Sequence, residues 1–174
     1  EIIQDAKKRG WKLAKFYFMI GLPLADEMEE ADRIIEYLQE IYNKTRIRIN
    51  TNVGTFVPKP HTPYQWDQQL TLDQSKKALQ HIKNTLKNTG IKVNYHEPFQ
   101  SYLEGIVSRG DEKVSDIIYA AFKKGASFEA WEDKIRKDIW MDILEENEAE
   151  KYIKKRNENE VLPWDVIDLG VRKT

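Results

Sequence analysis

The stretch Leu13-Ala-Lys-Phe-Tyr-Phe-Met-Ile-Gly-Leu-Pro23 decides how the chain is read. Eight residues that are apolar at all but one position, closed by Gly21 and Pro23, predict a strand buried on both faces and stopped by a turn. The next residues, Asp26-Glu-Met-Glu29, place an Asx side chain and an acid three positions apart, the form of a capping box. Ala31, Ile34, Ile35, Leu38, Ile41 and Tyr42 then recur at helical spacing. Ile47, Ile49, Thr51, Val53, Thr55 and Val57 return at every second position, which predicts a second strand over 47–57. After a proline-rich loop, Thr71 and Gln74 offer another capping box. Leu79, Ile82 and Leu86 mark the helix it starts, with Gly90 as its C′ residue. Ile91, Val93 and Tyr95 suggest a third strand. Strand, helix, strand, helix, strand is the pattern of βαβ units and a parallel sheet.

From Pro98 the periodicity stays helical. Phe99, Tyr102, Leu103, Ile106 and Val107 share one face before Gly110, where Asp111 is placed to cap the next helix. Val114, Ile117, Ile118, Ala121 and Phe122 share another before Gly125. Ser127, Ala130 and Trp131 open a third helix, and Ile139, Trp140, Ile143 and Leu144 a fourth, with Trp131 and Trp140 read as core. The segment 145–160 is charge-dense and reads as a solvated helix and loop. The chain closes through Leu162-Pro-Trp-Asp165, where Trp164 is placed to tuck back against the body. Two parts are expected: 1–97, an α/β part, and 98–174, an α-helical extension.

Composition bounds the chemistry. The 174 residues include 28 Lys and Arg against 29 Asp and Glu, for a net charge of −1, so no global field draws in nucleic acid or anionic membrane. There is no cysteine, hence no disulfide, thiol nucleophile or cysteine-held iron–sulfur cluster on this chain. The longest apolar run is far too short for a bilayer, and a cytoplasmic protein without membrane contact is expected. A chain that opens at Glu1, with three strands that cannot close into a barrel, reads as a piece of something larger.

Two loops carry the functional reading. Gly21-Leu-Pro23 follows the C-terminal end of a parallel strand, where α/β folds place their ligands. Its glycine lets backbone approach a ligand, and the capped helix start offers free N–H groups. An ordinary strand-to-helix turn has the same form. Phe56-Val-Pro-Lys-Pro-His-Thr-Pro63 occupies the equivalent place after the second strand, and its prolines make it rigid. Lys59 and His61 could meet an anion or substrate there, and Trp66 could stack; a rigid crossover loop with no ligand is the alternative. His96-Glu97 lacks a second His at ligand spacing, His81 falls on an exposed helix side, and Arg109-Gly-Asp111 matches an adhesion motif by chance.

Taken in order, the two loops resemble the second half of the radical S-adenosylmethionine superfamily. Phe18-Met-Ile-Gly-Leu-Pro23 is similar to the Gly-x-Pro turn after the fifth strand of methylthiotransferases and cobalamin-associated members. Phe56-Val-Pro-Lys-Pro-His-Thr-Pro63 is similar to their Pro-x-Pro-Gly-Thr-Pro turn after the sixth. Ser101-Tyr-Leu-Glu-Gly-Ile-Val-Ser-Arg-Gly-Asp111 and Leu162-Pro-Trp-Asp-Val-Ile-Asp168 resemble a subgroup that carries an N-terminal cobalamin-binding domain. Leu24-Ala-Asp26 departs from the family's Gly-Glu-Thr continuation, and His61 stands at the usual glycine. The resemblance implies a partial (βα) radical SAM barrel of parallel strands followed by a helical extension. Gly21, Leu22, Pro23, Phe56, Val57 and Pro58 would border the adenine of S-adenosylmethionine, and Lys59, His61 and Trp66 would face substrate. It implies no catalytic residue and no metal ligand on this chain. The intact parent would hold a 4Fe–4S cluster on cysteines outside it, S-adenosylmethionine, and in this subgroup cobalamin. That parent would be a methyl- or methylthio-transferase-like radical enzyme acting on RNA or protein, and the chain alone would be inactive. Its partners would be the missing N-terminal half or a second copy joined through the truncated sheet. The competing reading is a non-catalytic helical module that binds a substrate or partner and is anchored on a few strands.

Overall fold

The computed structural model describes residues 1–127, 131, 133–168 and 170. They fall into two compact units, 1–56 with 70–101, and 57–69 with the described residues from 102 onward. The proline-rich loop thus belongs to the second unit.

The first unit is α/β. It contains helix α1 (Ile2–Lys8), strand β1 (Leu13–Ile20), helix α2 (Glu27–Thr45), strand β2 (Arg48–Thr55), helix α3 (Leu72–Thr85) and strand β3 (Ile91–Tyr95). The strands form one sheet in the order β1-β2-β3, and both pairs are parallel. The α2 helix packs on β1 and β2, and α3 on β3 and α2. Ile20 of β1, Ile49 and Val53 of β2, and Ile91 of β3 join Ile34, Ile35, Leu38, Leu79 and Ile82 of the helices in one buried cluster. Both helices therefore cover the same face of the sheet.

The other face is open, which corrects the expectation that β1 is buried on both sides. Along β1, Leu13, Lys15, Tyr17 and Met19 are exposed, alternating with the core-facing Ala14, Phe16, Phe18 and Ile20. Alternation was masked because most residues on both sides are apolar or aromatic. On the covered side Phe16 and Phe18 stack in parallel at 6.1 Å, and Tyr37 of α2 meets both edge-on.

The starts of α2 and α3 lie where the sequence places them, α2 with a one-sided Asp26 cap rather than a reciprocal box. Asp26 Oδ1 accepts from the N–H of Met28 at 2.9 Å and of Glu29 at 3.2 Å. Thr71 and Gln74 form the reciprocal capping box, with Thr71 N–H donating to Gln74 Oε1 at 3.1 Å and Gln74 N–H to Thr71 Oγ1 at 3.3 Å. The end of α3 differs from expectation. The helix stops at Thr85, and Asn88 takes the left-handed conformation at φ 62°. Gly90 is required for another reason: a Cβ there would lie 2.0 Å from the Tyr42 ring.

The second unit is built from the 57–69 loop, the 102–109 part of helix α4 (Pro98–Arg109), helix α5 (Val114–Lys123), helix α6 (Lys137–Glu146) and a 3₁₀ turn (Ala149–Ile153). Trp140, Ile143 and Leu144 of α6 are buried, as are Tyr152, Ile153, Leu162 and Trp164. The helix expected from Ser127 falls partly outside the described residues. Trp131, expected in the core, is 63% exposed. Val107, Ile118 and Phe122, at the edges of the shared apolar helix faces, are also exposed. Among the described residues, no helix is long and apolar enough to cross a membrane.

Candidate functional site

In the first unit, the two turns of interest begin side by side. Register pairs Ile20 with Thr55, and the Phe56 N–H donates to the Ile20 carbonyl at 2.8 Å. Gly21, Leu22 and Pro23 therefore leave the sheet next to Phe56, at the C-terminal ends of adjacent strands. Val57, Pro58, Lys59, His61 and Trp66 lie in the second unit.

The Gly21 turn is held by a residue that sequence reading passed over. Glu30, on the first turns of α2, reaches back and accepts from the Gly21 N–H at 2.5 Å and from the Leu22 N–H at 3.3 Å. Burial pushes the Glu30 carboxyl above its ordinary value; the two N–H groups pull it down, and nearby Glu27 and Asp26 push it up further. The N–H groups of this turn are thus satisfied internally, and at the helix start, where free N–H groups are expected, those of Met28 and Glu29 go to Asp26. Gly21 has φ 82°, and a Cβ would lie 2.6 Å from Leu70 Cγ. Its lack of a side chain is explained by left-handed backbone and close packing on Leu70. Leu22 is 38% exposed and Leu24 almost fully so, which leaves an apolar lip at this end of the sheet. Thr55, the register partner of Ile20, has a buried hydroxyl with no hydrogen-bond partner.

The open face of the sheet carries polar groups in register. Lys15, Asn50 and Lys92 form one row, and Tyr17, Asn52 and Asn94 the next toward the C-terminal end. Met19 with Gly54 forms the last. Asn94 Nδ2 donates to Asn50 Oδ1 at 2.6 Å and to the Thr51 carbonyl at 3.3 Å, and Asn52 Nδ2 lies 3.2 Å from His96 Nε2. Lys15, Tyr17, Asn50, Asn52 and Asn94 line a shallow, open concavity of about 250 Å³. These positions have the opposite parity to the core positions, a signal readable in the sequence once the pairing is known.

In the second unit the proline-rich loop is clamped. Arg109, the last residue of α4, is 0% exposed. It donates to the carbonyls of Gln65 (3.3 Å), Ile153 (3.4 Å) and Lys154 (3.3 Å). Desolvation, with Arg156 nearby, brings its pKa down to about 10. Gln65 Oε1 accepts from the His61 N–H at 3.0 Å and the Trp164 indole at 2.7 Å. Arg156 lies over the Trp164 ring, 5.2 Å from its centroid, and donates to the Arg109 carbonyl at 2.6 Å. Trp164 does tuck in, onto this loop. Lys59 pairs with Glu104. His61 sits at φ 59°, the conformation that glycine adopts most easily, and its Nε2 and the Trp66 indole nitrogen are buried without partners. Tyr152 donates to Asp111 Oδ1 at 2.6 Å, which lowers the Asp111 pKa and helps push that of Tyr152 up to about 12, burial being the larger cause. Among the described residues, no cluster of three His, Asp or Glu side chains could hold a metal.

The arrangement defines an α/β protein with a three-stranded parallel sheet, helices on one of its faces and a polar opposite face. No family model and no solved structure matches the chain. It is similar to the uncharacterized protein MJ0966 of Methanocaldococcus jannaschii, with 30% identity over 153 residues, 82% of this chain and 33% of that protein. The chain thus spans about a third of the length of the curated relative it matches.

Proposed function

We propose that this chain supplies three strands of a radical S-adenosylmethionine barrel, with the Gly21-Leu-Pro23 turn and Phe56 bordering the adenine of the cofactor. The observation that carries the reading is the placement of these turns: they leave adjacent parallel strands at one end, where (βα) barrels bind ligands. Sequential strand order with both helices on one face is the layout of a barrel segment, whereas a doubly wound sheet covers both faces. His61 adds support, because its left-handed backbone falls where the family's second turn has glycine.

The residues fit the cofactor in part. Leu22 and Pro23 suit the apolar face of an adenine, but the N–H groups of Gly21 and Leu22 serve Glu30 and cannot meet its ring nitrogens. An adenine amino group would be met by carbonyl oxygens. Nothing in the chain fits an iron–sulfur cluster, because it has no cysteine, so no redox step is assigned to its residues. Val57 and Pro58, which border the adenine in the resemblance, lie in the second unit. Lys59, His61 and Trp66 belong to the loop that faces substrate in the resemblance, with RNA or protein as the target.

The test uses the complete gene product that carries this chain, reconstituted anaerobically with iron and sulfide. Cluster absorbance and S-adenosylmethionine binding by equilibrium dialysis are expected, with Leu22→Asp weakening cofactor binding about tenfold while leaving the cluster band unchanged. A complete product that forms no cluster, or cofactor binding that ignores Leu22→Asp, overturns the reading.

A further inference from the structure

The open face of the sheet has a composition unlike its other face. Lys15, Arg48 and Lys92 stand exposed on β1, β2 and β3, and no strand residue on this face is acidic. No carboxylate pairs with any of the three among the described residues. The face is therefore locally electropositive on a chain whose net charge is −1. One row further along stands Tyr17, 75% exposed and lining the concavity. Beside it are Asn50, Asn52 and Asn94. The Asn94–Asn50 bond uses one donor and one acceptor, which leaves Asn94 Oδ1 and Asn50 Nδ2 to meet a partner.

We propose that this face binds single-stranded nucleic acid: Tyr17 stacks on a base, the asparagine amides meet base edges, and Lys15, Arg48 and Lys92 meet the phosphates. Each group supplies what the others lack. A carboxamide offers paired donor and acceptor to a base edge, an exposed phenol ring offers a stacking surface, and unpaired cations attract the backbone. Successive rows on one face lie about 6.6 Å apart, at roughly 3.3 Å per residue, comparable to the reach from a base across its ribose to the phosphate. A polymer is favoured over a free nucleotide because small ligands take enclosed pockets that bury most of their surface, and this concavity is shallow and open. A duplex would hide the base faces from Tyr17. A second copy of the face is disfavoured by its like charges, and an acidic polypeptide would leave Tyr17 without a role. The inference stands on the composition of the face and competes with the barrel reading, in which the same face would line the barrel interior.

The test is fluorescence anisotropy of a labelled single-stranded oligouridylate with the full chain, over a salt titration. Tyr17→Ala is expected to weaken binding about fivefold or more, as for loss of one stacked base. Lys15→Gln with Lys92→Gln should lower the slope of log affinity against log salt by about 1.4, two phosphates at roughly 0.7 each. Lys77→Gln, exposed on α3 on the covered side, should change neither. All four substituted side chains are exposed, and unchanged thermal melts would show that the fold is kept. The proposal is overturned by any of four results: no binding at low salt, equal losses for Lys77→Gln, a mononucleotide bound as tightly as the polymer, or polyglutamate competing as strongly as RNA.

Discussion

Replacing Glu30 with alanine tests what holds the Gly21 turn at the end of β1. In the folded protein the carboxylate accepts one close bond from the buried Gly21 N–H and one longer bond, 3.3 Å, from the exposed turn at Leu22. A hydrogen bond to a charged group contributes about 1.5–3 kcal/mol, and the long, exposed one adds little. Partial burial of the carboxylate works against this, as its raised pKa records. The net cost expected for Glu30→Ala is therefore about 2 kcal/mol, with Glu30→Gln at less than half of that because an amide oxygen still accepts. For a chain of this size that corresponds to a drop of roughly 4–8 °C in Tm. Urea unfolding followed by far-ultraviolet circular dichroism measures it, as a shift in midpoint at constant slope. Glu29→Ala is the control, an exposed acid in the same helical turn. The sign of the pH dependence follows from the raised pKa. Above the ordinary carboxyl value the native state holds the proton more tightly than the unfolded chain, so stability falls as pH rises through that window. Glu30→Gln should flatten this limb. If Glu30→Ala and Glu29→Ala unfold at the same urea concentration, Glu30 does not hold the turn.

Three further outcomes are expected. Gly21→Ala should cost about 2–4 kcal/mol by urea unfolding, from left-handed backbone and overpacking against Leu70; adding Leu70→Ala should recover nothing if packing plays no part. Arg109→Lys should cost about 3 kcal/mol or more by the same measurement, because a single ammonium cannot serve the three carbonyls that the guanidinium spans. Tyr152→Phe should cost about 1 kcal/mol near neutral pH, and less in acid, because the Asp111 pKa is lowered in the native state and its contribution disappears as pH falls through that value; an acid limb identical to the parent's would count against the pair.

Much of the first unit is readable from sequence. The period-2 run of β2, the stripe of α2 and both helix starts rest on local patterns, and local patterns survive folding. Three features were hidden for physical reasons. The open side of β1 was concealed because Leu13, Tyr17 and Met19 look like core residues. Their exposure follows from both helices packing on the opposite face, a property of the pairing order and of no single strand. Glu30 is one acid among five at the start of α2, together with Asp26, Glu27, Glu29 and Asp32, and only a three-dimensional turn selects it. Arg109 closes a helix, where a basic residue is ordinarily read as a favourable partner of the helix dipole. Its burial depends on the 57–69 loop and residues 153–154, more than 40 positions away in sequence.

The two faces of the sheet settle what kind of surface each is. Parallel sheets are ordinarily covered on both sides, and strands so covered carry Val, Ile and Leu at successive positions. Strand β2 does this at Ile49 and Val53 but sets Arg48, Asn50, Asn52 and Gly54 between and beside them, and β3 sets Lys92 and Asn94 beside Ile91 and Val93. A layer of helices laid on those asparagines would strand their amides, at a cost of about 1–3 kcal/mol for each group left unmet. Water, a polar ligand or a polymer with its own donors and acceptors meets them without that cost. The parity of the asparagines therefore marks this side of the sheet for polar contact, whichever longer assembly the strands belong to.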